Sequence, residues 1–148
     1  EWHPHTTLVG EVIVDALLGT GLSGEVEGSI KQAIKAMNTA SQPVLALDIP
    51  SGISADTGAM LGTAVEATCT VTFIGDKIGL HTGDAPAYTG DIDFRPLGVK
   101  AQAFFDIPPT AWRLDDALLG EAFTPRSRTS HKGSLGHVLV MYFCIFAH

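Results

Sequence analysis

The sequence has few cysteines and few basic residues. Its two cysteines, Cys69 and Cys144, lie 75 positions apart, with neither a CxxC pair nor a Cys/His spacing. This pattern argues against a zinc site or a disulfide framework and makes a reducing cytoplasm the default compartment. Nine Lys and Arg face 16 Asp and Glu, a net charge of −7, and the basic residues form no run. Nucleic acid or an anionic membrane surface is therefore not expected as the main partner.

Long hydrophobic runs are also missing. The longest, at 138–147, has ten residues, about half of what a membrane-spanning helix needs. No basic stretch followed by an apolar one opens the chain, so no signal peptide is predicted, and both ends read as cut. Hydrophobic residues nevertheless make up 45% of the 148 residues and charged residues 17%. This composition can fill the core of one ordinary domain, or of pieces of two.

Apolar runs alternate with one helical pattern in the first third of the chain. The run at 11–18 is typical of a strand that is buried on both faces. Apolar residues recur at steps of three and four from Val26 to Met37, which predicts an amphipathic helix. The run at 44–49, stopped by Pro50, predicts a second buried strand. Short connections in the order strand, helix, strand imply parallel pairing through a crossover helix.

Further predicted elements follow the second strand along the chain. We predict a short helix at 64–67, a third strand at 69–73, a loop at 79–90 and a fourth strand, at an edge of the sheet, at 91–94. Periodicity fades from residue 107 to residue 130, a stretch in which Pro, Arg and Ser collect at 125–128, and a new strand is predicted to begin at His137. The fold class is therefore α/β with a mainly parallel sheet.

The six residues at 19–24 spell GxGxxG between the first strand and the helix. Glycines let a backbone approach phosphate closely, and free N–H groups at a helix start favour negative charge. As a dinucleotide fingerprint the match is weak, because the only acid at the end of the next strand is Asp48, which Pro-Ser-Gly follows. A nucleotide-contacting loop, the fingerprint of an NAD-dependent dehydrogenase and a plain connecting turn all remain open.

Two acids, Asp15 and Asp48, fall at the carboxyl ends of predicted parallel strands, the edge where open α/β sheets bind ligands. A carboxylate between Leu47 and Ile49 is partly desolvated, which raises its proton affinity and suits acid/base work. A turn-forming or capping aspartate is the alternative. Oxygens of Asp15, Ser51 and nearby carbonyls would suit a hard or alkali cation. Lys77, after the third strand, is a lesser candidate, since such lysines usually only solvate a strand end.

Several segments, in this order, resemble the second half of NAD(P)H-hydrate epimerase. They lie at 14–21, 47–52, 56–58, 72–73, 77–80 and 88–91. Arg128 and residues 131–140 resemble the opening of the ADP/ATP-dependent NAD(P)H-hydrate dehydratase domain, which bacteria fuse to the epimerase. The joint resemblance covers most of residues 8–140. It implies the second half of an epimerase domain at 1–106, a linker at 107–130 and a truncated dehydratase start at 131–148.

The resemblance implies a partial Rossmann-like αβα sandwich that interconverts the R and S forms of hydrated NADH and NADPH. It implies potassium ligands at Asp15 and Ser51, and it places Asp48 against the hydrate. The implied substrate loop consists of Gly19, Thr20, Gly21, Leu22, Ser23, Gly24 and Glu25. ADP or ATP would serve only the dehydratase domain. Self-association into a homo-oligomer is compatible with the sequence.

The chemistry that the resemblance implies needs one acid/base group. If the hydroxyl of a carbinolamine-like carbon leaves as water and returns on the other face, one group protonates the leaving oxygen and later deprotonates water. We assign this role to Asp48 as a hypothesis.

The family's first half, with a further potassium ligand, is absent, and the resemblance stops after Val140, so we expect the chain alone to be inactive or nearly so. Epimerase-like domains also resemble an apolipoprotein A-I-binding protein, which keeps a non-catalytic binding module as an alternative.

Overall fold

A computed structural model describes residues 8–104, 106–114 and 116 of the chain. The chain divides into two compact units, Glu1–Ala111 and Trp112–His148, and the elements below all belong to the first. They are β1 (Ile13–Asp15), α1 (Gly28–Thr39), β2 (Val44–Leu47), β3 (Cys69–Phe73) and β4 (Asp91–Arg95), with 3-10 turns at Ile78–Leu80, Ala85–Ala87 and Ala101–Phe104. Within the described residues, no helix has the length and apolar character needed to cross a membrane.

The four strands form one parallel sheet in the order β1-β2-β3-β4. The register aligns Asp15 with Ala46, Ala46 with Thr70 and Thr70 with Ile92. All four carboxyl ends therefore meet at one edge of the sheet. The predicted α/β class with a parallel sheet is confirmed, and among the described strands β4 lies at an edge as predicted.

One face of this sheet holds the core. The helix residues Ile34 and Met37 pack with Val44 of β2 in one buried cluster. A second cluster, around Ile49 and Leu80, packs against Ile92 of β4. Because strand side chains alternate between faces, the register places Val44 and Ile92 on the same face, and both clusters cover that face.

The opposite face is only partly covered within the described residues. Val14 of β1 is 50% exposed, so the prediction of a first strand buried on both faces is wrong. The reason is that α1, the only α-helix of the first unit's described residues, packs on the other face. These residues thus supply one helical layer of an αβα sandwich.

One local prediction is corrected by backbone hydrogen bonds. Residues 64–67 form no helix, because the N–H of Val65 donates to the carbonyl of Ser51 at 2.9 Å and that of Ala67 donates to Tyr88 at 2.8 Å. Both N–H groups bond to other segments of the chain and not to a carbonyl within a helical turn. Two of the 3-10 turns lie in or at the start of the predicted loop at 79–90. The predicted strand from His137 and the predicted dehydratase start at 131–148 lie outside the described residues.

Candidate functional site

The carboxylate of Asp15 is buried at the end of β1, with 1% of the residue exposed. Ser51 contacts both of its oxygens: the Ser51 hydroxyl donates to Oδ1 at 2.6 Å and the Ser51 backbone N–H donates to Oδ2 at 2.8 Å. The backbone N–H of Leu17 also donates to Oδ1, at 3.3 Å. The structure therefore brings together the two residues that the sequence analysis singled out as cation ligands.

The pair of Asp15 and Ser51 is tied to the start of the glycine loop. The backbone N–H of Leu18, the residue before Gly19, donates to the Ser51 hydroxyl at 2.9 Å, and the carbonyl oxygen of Leu18 lies 3.3 Å from the same hydroxyl. A movement of Ser51 would therefore displace Leu18 and the start of the glycine loop.

The oxygens around Asp15 suit a hard or alkali cation better than a transition metal. Asp15 has no Lys, Arg or His partner within the described residues, and an unpaired buried carboxylate is costly unless a cation offsets its charge. Nor does the described part of the chain contain a group of three or more His, Cys, Asp and Glu side chains placed to hold a metal. One carboxylate beside hydroxyl and carbonyl oxygens is a donor set typical of hard or alkali cations.

The turn after β2 sets the position of Ser51. The carbonyl of Ser51 accepts from Val65 at 2.9 Å, and the carbonyl of Gly52 accepts from Leu61 at 2.8 Å. Gly52 has a φ of +100°, and a Cβ placed there would lie 1.9 Å from the backbone oxygen of Thr63. Only glycine combines this conformation with so close a backbone approach.

Asp48 leaves β2 in the left-handed region, with a φ of +72°, a conformation that Asp tolerates better than most residues. Its backbone N–H donates to the carbonyl of Val71 at 2.7 Å. Its side-chain Oδ1 accepts from the backbone N–H of Phe73 at 3.1 Å and lies 3.3 Å from the hydroxyl of Thr72. The same oxygen forms an ion pair with the ammonium group of Lys77.

Lys77 is a member of this cluster and not a solvated strand end. Its ammonium group also donates to the hydroxyl of Thr72 at 3.0 Å and to the carbonyl of Phe73 at 2.9 Å, and its side chain is only 18% exposed. Apart from the family resemblance at 72–73 and 77–80, the sequence offered only a lysine four residues after β3 and no signal for Thr72. The contacts of Lys77 and Thr72 with Asp48 depend on the pairing of β2 with β3.

The pKa of Asp48 is lowered from its ordinary value, opposite to the expected direction. Burial acts to raise it, as the flanking apolar residues suggested, but the hydrogen bond and charge of Lys77 and the bonds from Phe73 and Thr72 together outweigh burial. Asp48 is therefore a carboxylate at neutral pH.

The glycine loop lies between β1 and α1 but does not run directly into the helix. Residues 19–21 are exposed, and α1 begins only at Gly28. Between the loop and the helix, the backbone N–H of Val26 donates to the carbonyl of Leu61 at 2.9 Å. The loop therefore lacks the direct entry into a helix start on which a dinucleotide fingerprint depends.

The Asp48 cluster and the pair of Asp15 and Ser51 lie at the same edge of the sheet but on different strands. Asp15 and Ser51 meet at the end of β1, whereas Asp48 turns toward the end of β3 and pairs with Lys77. The carboxylates contact separate sets of groups, and the carboxyl edge of β1, β2 and β3 carries both sets.

Comparison with known proteins gives two kinds of match. The family model described as YjeF-related protein N-terminus matches residues 1–79, more than half of the 148 residues. The chain is also 53% identical over 132 residues to the bifunctional NAD(P)H-hydrate repair enzyme Nnr of Coxiella burnetii, an alignment that covers 89% of this chain and 27% of that protein.

Other relatives carry the same names. Identity is 40% over 131 residues with the bifunctional NAD(P)H-hydrate repair enzyme Nnr of Escherichia coli, covering 88% of this chain and 25% of that protein. It is 48% over 82 residues with the NAD(P)H-hydrate epimerase of Limosilactobacillus fermentum, covering 55% of this chain and 39% of the relative. The chain thus spans about a quarter of the length of the bifunctional relatives.

Proposed function

The chain belongs to the YjeF-related protein N-terminus family, and on this premise we propose that it carries part of an NAD(P)H-hydrate epimerase site. In this proposal the site interconverts the R and S forms of hydrated NADH and NADPH. The observation that carries it is the carboxyl edge of the sheet, where an exposed glycine loop, the pair of Asp15 and Ser51 and the carboxylate of Asp48 all lie. In this proposal Asp48 supplies the acid/base group, and the names of the relatives support the reaction as a whole.

The loop at 19–25 is the proposed contact for the dinucleotide. Gly19 and Gly21 have no positive φ, and a Cβ at either would meet no atom within 4 Å. Nothing within the described chain therefore requires glycine at these two positions, whereas a ligand that lies against the backbone does. This supports a loop that holds the damaged dinucleotide as substrate.

Potassium is the proposed cation at Asp15 and Ser51. A monovalent cation there would offset the buried charge of Asp15 and fix the turn that carries Ser51, and through Leu18 the entry to the loop. Hydrogen bonds within the chain hold the oxygens of Asp15 and Ser51 in place, and the cation would take part in no covalent step.

We expect potassium to stabilise the chain against unfolding. Binding to the native state alone contributes about 1.4 kcal/mol when the cation is at ten times its Kd, so Tm is expected to be several degrees higher in KCl than in tetramethylammonium chloride of equal ionic strength. Thermal unfolding followed by circular dichroism measures this. Asp15→Asn removes the charge and is expected to abolish the difference between the salts; an equal difference in the variant contradicts the site.

The proposed activity is tested in a hybrid enzyme, the Coxiella burnetii relative with its matched segment replaced by the corresponding residues of this chain. We expect the hybrid to epimerise the R-hydrate within about tenfold of the unmodified relative, because the two segments share 53% of their residues and substitutions far from a site usually cost little. Chromatographic separation of the R and S forms follows the reaction. Loss of epimerisation in a folded hybrid, while the unmodified relative is active, would overturn the proposal.

The alternative functions have less support. A dehydrogenase needs the glycine loop to open a helix, and α1 begins too late for this. A binding module like the apolipoprotein A-I-binding protein needs no ionised Asp48 held by Lys77. Cytoplasmic location, self-association and the use of ADP or ATP by a fused dehydratase domain stay predictions, as do the domain bounds 1–106, 107–130 and 131–148.

A further inference from the structure

The two oxygens of Asp48 have different surroundings. Every hydrogen bond to its side chain within the described residues goes to Oδ1, from Lys77, Phe73 and Thr72. Oδ2 accepts none of them, and 29% of the side chain is exposed. One oxygen of this carboxylate is thus anchored, and the other is available to an external group.

All three N–H donors of the Lys77 ammonium group have an acceptor. Its three N–H bonds correspond to three acceptors, namely Oδ1 of Asp48, the hydroxyl of Thr72 and the carbonyl of Phe73. Lys77 can give a proton to a substrate only by breaking one of these contacts. Its geometry suits holding Asp48 in place, not direct proton transfer.

We propose that Lys77 is a positioning residue that holds Asp48 as a carboxylate with Oδ2 free, so that Asp48 begins the epimerisation as a base. This inference rests on the proposed function and specifies which atom reacts and in which direction the first proton moves. Asp48 is the catalytic residue here, and Lys77 acts through it.

A base that removes the hydroxyl proton opens the ring. The proton moves from the hydroxyl oxygen to Oδ2, the oxygen forms a carbonyl with its carbon, and the bond from that carbon to the ring nitrogen breaks. The electron pair passes to the nitrogen and is delocalised toward the carboxamide. After rotation the nitrogen attacks the other face of the carbonyl, and Asp48 returns the proton to the oxygen. Atoms and electrons balance with no further reactant.

Departure of the hydroxyl as water, the route assumed from the sequence, needs a protonated group at the start. Asp48 is in the ionised form and not the protonated form that this route requires. Lys77, Phe73 and Thr72 all donate to it, and donors favour the ionised form. The two routes differ in the fate of one oxygen atom. Ring opening keeps the original hydroxyl oxygen, whereas water departure replaces it with solvent oxygen.

Epimerisation of the R-hydrate in ¹⁸O-water distinguishes the routes. The assay uses both the chain itself and the hybrid enzyme, is stopped at low conversion, and includes substrate without protein as the control. We expect the S product to contain less than about a tenth of one solvent oxygen per turnover. Incorporation of one full solvent oxygen overturns this inference but leaves the epimerase proposal intact, and absence of turnover in both proteins overturns the epimerase proposal itself.

Lys77→Gln tests the positioning role. Without the ammonium group the pKa of Asp48 rises, and since the carboxylate is the active form, the acidic limb of the pH profile of kcat/KM is expected to move up by about one pH unit or more. The other titratable side chains at 76–81 are those of Asp76 and His81. They pair with each other, with 2.8 Å between Oδ1 of Asp76 and Nε2 of His81, and the substitution leaves both in place. Lys35→Gln, on the exposed side of α1, is the matched control and is expected to leave the limb in place.

The titration of the Asp48 carboxyl, followed by ¹³C NMR in the 148-residue chain, gives the same answer without turnover. An upward shift in Lys77→Gln and not in Lys35→Gln supports the inference. An unshifted carboxyl, or an unshifted acidic limb in a folded and active variant, overturns it.

Discussion

Asp48→Asn in the hybrid enzyme is expected to lower kcat/KM for epimerisation by about 10²–10⁴-fold, the range that one acid/base group contributes. The substitution is well matched to the site. Asn tolerates the left-handed conformation that Asp48 adopts, and its amide oxygen can still accept from Lys77, Phe73 and Thr72. What it loses is the basic oxygen at the position of Oδ2.

The control is the same change elsewhere on the sheet. Asp93 of β4 pairs with Arg95 at 2.6 Å on an exposed surface, and Asp93→Asn is expected to change kcat/KM by less than about threefold, since exposed ion pairs contribute little. Chromatographic rates over a range of substrate concentrations separate kcat from KM for both variants. If Asp48→Asn epimerises as fast as Asp93→Asn, Asp48 is not the acid/base group.

Gly52→Ala is expected to lower the free energy of unfolding of the chain by about 3–5 kcal/mol, from a strained left-handed alanine and a forced backbone movement. The new Cβ would lie 1.9 Å from the Thr63 oxygen and 2.8 Å from the Ala64 Cα, and neither is a flexible side-chain end. The turn must therefore separate from the segment at 61–65. A loss of this size is comparable with the whole stability of a small domain.

The matched control for Gly52 is a glycine in open space. Gly21 has no positive φ, and a methyl group added there would have no atom within 4 Å, so Gly21→Ala is expected to stay within about 1 kcal/mol of the unchanged chain. Urea unfolding followed by circular dichroism compares the variants. Equal stability of the two would show that the turn does not pack against Thr63 as described.

Because Ser51 precedes Gly52, the same substitution also bears on the site. Displacing the turn would withdraw the two donors that Ser51 gives to Asp15 and leave a buried carboxylate with fewer partners. Such a loss costs more than the hydrogen bonds contribute when they are formed. The fold and the proposed cation site therefore depend on one glycine.

Local patterns were sufficient for the framework of the fold. The strand at 69–73 was predicted with its observed bounds, and the strand at 91–94 ends one residue later, at Arg95. The helix was predicted from the spacing of Val26 to Met37 and begins two residues later, at Gly28. These elements follow from apolar residues that recur with the period of a strand or a helix, a property of neighbouring residues in the chain.

The predictions that were wrong or incomplete depended on contacts between distant segments. Residues 64–67 form no helix because the N–H groups of Val65 and Ala67 bond to Ser51 and Tyr88. The second strand ends at Leu47, not Ile49, because Asp48 takes a left-handed conformation and turns to β3. Val14 is exposed because α1 covers the other face. None of these contacts has a signature in the residues themselves.

The residues alone are sufficient to predict the α/β class, parallel strand pairing and acids at strand ends. The order of the strands and the contacts of each acid depend on the tertiary structure. It joins Asp15 to Ser51 across 36 positions and Asp48 to Lys77 across 29, and the second contact reverses the expected direction of the Asp48 pKa shift. The physical reason is that local periodicity fixes elements, whereas a carboxylate's charge state depends on donors that only sheet pairing brings within reach.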